Sequence, residues 1–281
     1  MSPVRVCLLT SLALLAFAAN SLLCRAALAH TQVDAATFTG VRLVSGAIVL
    51  AILVALRGGA RTGQGSWPSA LALFGYAAGF SFSYVRLPAS AGALILFGAV
   101  QASMIAHGLW KGERLLALQL LGLVLAGAGL IGLMLPGLSA PPLPSAVLML
   151  GAGMAWGVYT LRGKGAGDPL KVTAGNFIRT VPMAIVLGAL LYRDTVFDLA
   201  GMGYAVLSGA LASGLGYAIW YAALPQLRTT TAATVQLSVP VIAAAGAVFM
   251  LGEPVSARLL AASLAILGGI ALVILKGKRA V

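Results

Sequence analysis

Residues 79–88 read Gly-Phe-Ser-Phe-Ser-Tyr-Val-Arg-Leu-Pro, and residues 216–225 read Gly-Tyr-Ala-Ile-Trp-Tyr-Ala-Ala-Leu-Pro, one pattern met twice at an offset of 137. Gly79 answers to Gly216, Tyr84 to Tyr221, and Leu87-Pro88 to Leu224-Pro225. The same offset lays Arg25 on Arg162 and Arg42 on Arg179. Beyond a short insertion it becomes 140, where Ala93 meets Ala233, Gly112-Glu113 meets Gly252-Glu253, and Gly129 meets Gly269. Alanine and leucine matches are cheap in an apolar chain; the arginine, Gly-Glu and Leu-Pro matches carry the repeat.

Composition sets the class in which that repeat must be read. Of 281 residues, 60% are hydrophobic and 9% charged, with 35 glycines; a soluble domain carries about 25% charged residues. Eighteen Lys and Arg with six Asp and Glu cannot cover a soluble surface of this size, which excludes a cytosolic enzyme and a disordered chain. Ten apolar stretches are predicted as helices, at 4–28, 34–56, 68–87, 89–110, 115–135, 143–162, 171–192, 200–223, 229–251 and 256–275. Each is about long enough to cross a hydrocarbon core of roughly 30 Å. Arg57-Gly58-Gly59, Pro68, Pro88, Pro136-Gly137 and Gly252 to Pro254 punctuate them. Arg5 and Ala27-Leu28-Ala29 imitate a signal peptide, but the apolar run is too long and nine more spans follow, so the first helix is read as retained.

The expected fold is therefore all-α: a polytopic membrane protein of ten transmembrane helices, with one repeat over 1–137 and a second over 138–281. Five is odd, so the second repeat enters from the opposite side and is inverted, the architecture by which many secondary transporters reach two related states. With the N-terminus in the cytoplasm, twelve Lys and Arg fall on that side and four (Arg25, Arg86, Arg193 and Arg258) on the other. The positive-inside rule then puts both termini in the cytoplasm, in the cell's inner membrane. Topology accounts for the net charge of +12 and no nucleic-acid partner is implied. Cys7 and Cys24 stand 17 residues apart on one helix, roughly 25 Å, too far to pair. Nothing points to a metal or a cofactor.

These residues resemble the drug/metabolite transporter superfamily, in its ten-helix branch built from two EamA-type repeats. The pattern shows in Ala19-Asn20 and Trp156-Gly157, in Arg42 and Arg179, and in Gly112-Glu113-Arg114 and Gly252-Glu253-Pro254. Members usually carry a proline about 13 residues before the Gly-Glu; Pro240 fits, but Val100 stands there in the first half. Within the family the chain looks most like the YddG-type exporters of aromatic and other neutral amino acids. The resemblance implies a pathway lined by helices 1, 3, 4, 6, 8 and 9, and a carrier rather than an enzyme.

Polar and aromatic residues inside spans are the candidate substrate contacts, since each costs free energy in lipid unless it meets partners or water. Tyr76, Phe80, Ser83 and Tyr84 fall on one face of helix 3, and the repeat carries them onto Ser213, Tyr217, Trp220 and Tyr221. An amphipathic substrate would find stacking surfaces and hydrogen bonds there; an interfacial aromatic belt is the alternative, suiting Tyr76 and Tyr84 best. Gln101 and Gln236 offer amides to a zwitterion, or bonds between helices. Thr230, Thr234 and Ser238 recur along helix 9, where hydroxyls commonly bond back to their own helix. Asn20, Phe80, Ser83, Gln101, Trp156, Tyr217, Trp220 and Gln236 thus form the expected binding set.

Arg42 and Arg179 are expected to be structural or gating residues, as are Glu113 and Glu253 at helix ends. All six carboxylates fall at span ends or in loops, so facilitated diffusion is expected rather than proton coupling; His107 is the side chain that could titrate near neutrality. The expected transport unit is a monomer, although the glycines of helices 5 and 10 offer a surface a dimer could use. Two readings from other classes are less well served. An integral-membrane enzyme would need a polar cluster, yet His30 and His107 fall on opposite sides; a structural membrane protein would not need the inverted repeat. A nucleotide-sugar or multidrug carrier of the same fold is the closer rival; nucleotide phosphates would call for cations in the cavity, which only Arg42 and Arg179 are placed to offer.

Overall fold

The computed structural model describes residues 2–58, 64–112, 116–135, 137, 140–163, 166–227 and 235–275. Helices α1 (Pro3–His30), α2 (Ala35–Leu56), α3 (Trp67–Tyr84), α4 (Ala89–Trp110) and α5 (Ala117–Met134) form the first half. The second contains α6 (Leu143–Gly163), α7 (Pro169–Leu190), α8 (Leu199–Gln226), α9 (Ser238–Leu251) and α10 (Ala257–Leu275). Eight of these are long and apolar enough to cross a membrane. The exceptions are α9, short by its described length, and α3, whose tyrosines and serines belong to an interior helix.

Local chemistry places the helix ends. Asp34 accepts from the backbone N–H of Ala36 and Thr37 to start α2, and Asp168 accepts from Leu170 and Lys171 to start α7, so the second helix of each half has an aspartate N-cap. Ser66 and Asp198 cap α3 and α8. The recurrence of Gly-Glu has a backbone reason: Gly112 and Gly252 both adopt positive φ, 92° and 64°, where a Cβ would be strained.

Three elements depart from regular helices. Residues Ser208–Leu215 of α8 are π-helical, between α-helical Leu199–Leu207 and Gly216–Ala223, and a short 3₁₀ turn, Leu224–Gln226, closes the element. The expected regular helix over 200–223 missed this. In the region expected as one helix over 229–251, residues 235–236 are helical, Leu237 is a turn, and α9 restarts at Ser238. Pro240 has no N–H to give the carbonyl of Gln236, and at the carbonyl one residue earlier, that of Val235, the Ser238 hydroxyl donates at 2.6 Å. The matching helix α4 has Val100 where the family's proline stands, and it runs unbroken from Ala89 to Trp110.

The two halves interlock. α6 packs on α3 and α4, and its counterpart α1 packs on α8 and α9. Likewise α7 meets α3 and α2 meets α8, while α2 pairs with α7 and α5 with α10. Every large contact joins the two halves, and the pattern is unchanged when they are exchanged, as a twofold pseudo-symmetry requires. Gly122 and Gly269 let α5 and α10 meet backbone to backbone, and Gly129 sits against Ala265 and Ile266. A Cβ added at Gly127, Gly132 or Gly268 would meet nothing within 4 Å beyond its own helix. The lipid side is supplied by exposed Leu8, Leu12, Ile48, Ile52, Leu121 and Val124.

Candidate functional site

Between the group α1–α8 and the group α3–α4–α6 lies a cavity of about 10 Å³, about one water in size. Its walls are Phe17 and Asn20 from α1, Tyr76 and Phe80 from α3, Leu96 and Phe97 from α4, Trp156 from α6 and Tyr217 from α8. Trp156 is the hub: its ring centroid lies 4.8 Å from that of Tyr76, 4.7 Å from Tyr217 and 5.4 Å from Tyr159. Phe17 faces Trp156, Tyr217 and Trp220 edge-on. At this volume nothing larger than water fits, so the conformation is closed around its centre.

A buried polar network runs behind the aromatic wall. Asn20 Nδ2 donates to Tyr76 Oη at 3.1 Å, and Arg42 Nη2 donates to the same oxygen at 3.1 Å. The hydroxyls of Tyr76 and Tyr217 share a hydrogen bond of 3.3 Å. With two donors filling the lone pairs of Tyr76, its own proton is left for Tyr217. Ser208 Oγ donates to Asn20 Oδ1 at 2.6 Å, and Arg42 Nε donates to Ser213 Oγ at 3.2 Å. The π-helical turn makes this arrangement possible. Residues five apart diverge on an α-helix but stack in a π-helix, so Ser208 and Ser213 both face α1 and α2. Gly209 lies against the carbonyl of Arg42 and the hydroxyl of Ser45, where any Cβ would collide.

Each end of the cavity is closed by its own set of contacts. At one, Arg25 of α1 lies 3.4 Å from Glu253 and donates to the carbonyls of Tyr84 and Val85. Glu253 accepts from the backbone N–H of Ala89 at 2.8 Å, which caps α4. At the other, Tyr159 and Tyr221 meet edge-on at 6.4 Å, Gly163 lies against Tyr221, and Arg162 donates to Ser69 Oγ at 3.1 Å.

Of the expected binding set, Asn20, Phe80, Trp156 and Tyr217 line the cavity. Trp220 is buried one layer out, edge-on to Phe17 at 5.7 Å. Ser83 turns away and donates to its own helix at Gly79, 2.6 Å. Gln101 and Gln236 are buried outside the lining, and Gln101 Nε2 has no partner among the described residues. His107 is half-buried near the end of α4, edge-on to Trp110. Glu113, Thr230 and Thr234 lie outside the described residues. A belt role for Tyr76 and Tyr84 does not survive their burial; the tryptophans that suit it are the exposed Trp67 and Trp110.

The paired arginines part company. Arg179 is half-buried and donates to the carbonyls of Gln64 and Gly175. Arg42 is 1% exposed, and its Cζ sits 4.8 Å from the ring centre of Phe80 and 5.3 Å from that of Tyr76. Phe17, Leu96, Phe97 and Ser208 carried no signal in the sequence beyond apolar or small character.

The EamA-like transporter family model matches residues 4–135 and again 143–275. An uncharacterised protein of Pseudomonas aeruginosa is 57% identical over 271 residues, covering 96% of this chain and 94% of its own. The threonine/homoserine exporter RhtA of Escherichia coli K12 is 36% identical over 118 residues, 40% of this chain and 38% of its own. RhtA of Salmonella typhimurium is 32% identical over 114 residues, with the same coverage. A solved structure described only as a protein crystal structure shares the fold with a TM-score of 0.70, at 19% identity, over 99% of this chain and all of its own.

Proposed function

The chain belongs to the EamA-like transporter family, and from that premise we propose that it exports small amphipathic metabolites, aromatic and other neutral amino acids above all, by alternating access. The observation that carries the reading is the closed cavity between the repeats, with aromatic walls and amide and hydroxyl groups at its back. The partial likeness to threonine/homoserine exporters supports an amino-acid substrate. Aromatic faces would take the apolar part and the polar network the charged part. The packing suggests which bodies move: α1, α8 and α9 on one side, and α3, α4 and α6 on the other, each drawn from both halves. Rocking about the cavity would part the contacts at one end and then at the other.

In this reading both termini face the cytoplasm of a cell with the protein in its inner membrane, and the repeats divide at 137 and 138. The unit of transport is the monomer. The five described carboxylates all stand at helix ends or in loops, which supports a facilitative carrier. The test is uptake of labelled phenylalanine, threonine and a nucleotide sugar into proteoliposomes, with and without an imposed pH gradient. Amino-acid uptake indifferent to the gradient is expected. Uptake of the nucleotide sugar alone would overturn the substrate assignment, and gradient-driven accumulation would overturn the facilitative mechanism.

A further inference from the structure

Arg42 is the one charged side chain that is fully buried among the described residues, and among them no carboxylate pairs with it. Its Nε and one face of its guanidinium are engaged, by Ser213 and by the rings of Phe80 and Tyr76, and Nη2 donates to Tyr76. Its Nη1 has no hydrogen-bond partner among the described residues. An arginine stays charged in any protein environment. A buried cation without a counter-ion costs several kcal/mol, and the two ring contacts return only about 0.5–2 kcal/mol each. A scaffold arginine has no need of this. Arg179, its repeat partner, is satisfied by two backbone carbonyls at the edge of the bundle. The retained deficit sits directly behind two side chains of the cavity wall, Tyr76 and Phe80, and its hydrogen-bond partner Tyr76 is also bonded to the lining residue Asn20.

From this geometry, and resting on the transport reading above, we infer that Arg42 is the substrate-recognition residue, and that the missing partner of its guanidinium is the carboxylate of the transported molecule. The inference fixes the substrate class more narrowly than amino acids. The described lining holds no carboxylate to pair with an ammonium group, so the amine is held only by neutral oxygens and aromatic faces. The carboxylate is therefore obligatory and the amine dispensable: a monocarboxylate with an apolar body is recognised whether or not it carries an α-amino group. Nucleoside diphosphates, with two or more negative charges, are under-neutralised by one arginine.

The experiment uses the whole chain in nanodiscs in a low-salt buffer free of halides and of carboxylates, so that no buffer anion competes. Trp156 in the wall and Trp220 beside it report binding by their fluorescence. The probes are phenylalanine, phenylalaninamide and 3-phenylpropionate. Phenylalanine and 3-phenylpropionate should bind within about tenfold of each other, and phenylalaninamide at least about 100-fold more weakly, because a site built for a charged partner rejects the analogue that lacks it. Arg42→Lys should weaken phenylalanine about tenfold and Arg42→Gln more than 100-fold; if Arg42→Gln fails to fold, the three probes on the unmodified chain still decide. Phenylalaninamide binding as well as phenylalanine overturns the role of Arg42 while leaving amino-acid transport standing. Binding of 3-phenylpropionate but of no amino acid supports Arg42 and overturns the amino-acid assignment. Binding of neither carboxylate overturns both.

Discussion

Arg25 and Glu253 meet at 3.4 Å between α1 and the turn before α10, and together they fasten the corner where α3 gives way to α4. Arg25 takes the last carbonyls of α3, Tyr84 and Val85, while Glu253 takes the first N–H of α4, Ala89. An anion at a helix N-terminus and a cation at a helix C-terminus both complement the helix dipole. Both members stand on the α1–α8–α9 side, and their bonds to Tyr84, Val85 and Ala89 are the ones that cross to the α3–α4–α6 side, so in the proposed rocking these are the contacts that part.

Glu253→Gln should therefore loosen that end. The bond from the Ala89 N–H then ends on a neutral amide oxygen instead of a carboxylate, a loss of about 1 kcal/mol across the two sides, enough to raise the open population several-fold. Cys24, buried beside Arg25, is the reporter. In a Cys7→Ser background, maleimide labelling of Cys24 should speed up several-fold in Glu253→Gln; an unchanged rate would show that the corner is not a latch.

Tyr76→Phe removes one oxygen on which two donors converge. Asn20 and Arg42 would each lose a buried partner, at a cost of about 1–3 kcal/mol for each group left unsatisfied. The expected outcome is a lower melting temperature and transport reduced at least about tenfold. Tyr84→Phe removes a hydroxyl whose bond to the Ala89 carbonyl is long, 3.4 Å, and should change both measurements much less.

Trp156→Ala opens the hub of the aromatic cluster. The change should lower transport more than tenfold, whereas Gln101→Ala, outside the cavity lining, should retain most of it with folded protein in both. Equal losses in the two variants, in the uptake assay, would place the substrate elsewhere in the bundle.

Gly209→Ala drives a methyl group into the Arg42 carbonyl and the Ser45 hydroxyl. Overpacking of this kind costs about 1–3 kcal/mol, and here it also pushes the π-helical turn of α8 away from α2. Thermal melting followed by size exclusion should show a clear drop, set against Gly268→Ala, whose position is open and should be neutral.

Asp34 carries a pH prediction. Burial raises its pKa, but hydrogen bonds from Thr37, Val196 and Ala36 outweigh burial and hold it below the ordinary aspartate value. A depressed carboxylate stabilises the fold above its unfolded pKa, about 3.9, and that stability is lost as pH falls through the folded value. The gap in melting temperature between the parent protein and Asp34→Asn should be constant from pH 8 to about pH 5 and should close in stronger acid.

The sequence on its own determined the fold class, the helices and the inverted repeat. Each is written locally: apolar length decides a span, Asp34 and Asp168 cap their own helices, and Gly112 and Gly252 recur because one backbone turn recurs. Four of the eight expected binding residues line the cavity: Phe80 and Tyr217 on the aromatic faces of α3 and α8, which follow helical spacing, and Asn20 and Trp156 at facing positions on α1 and α6. Ser83 is not in the lining, and its hydroxyl donates back to the Gly79 carbonyl of its own helix. Which polar groups meet was settled by packing across the bundle. Asn20 with Ser208 and Arg42 with Ser213 join residues 188 and 171 positions apart. They do so through a π-helical turn, which has no periodicity that hydropathy records. The repeat made Arg42 and Arg179 look alike; packing separated them, leaving one at the edge with carbonyl partners and the other buried behind the cavity wall with one nitrogen unpaired. Symmetry in a sequence fixes position along the chain, whereas the environment of a charge is set by the helices that close around it.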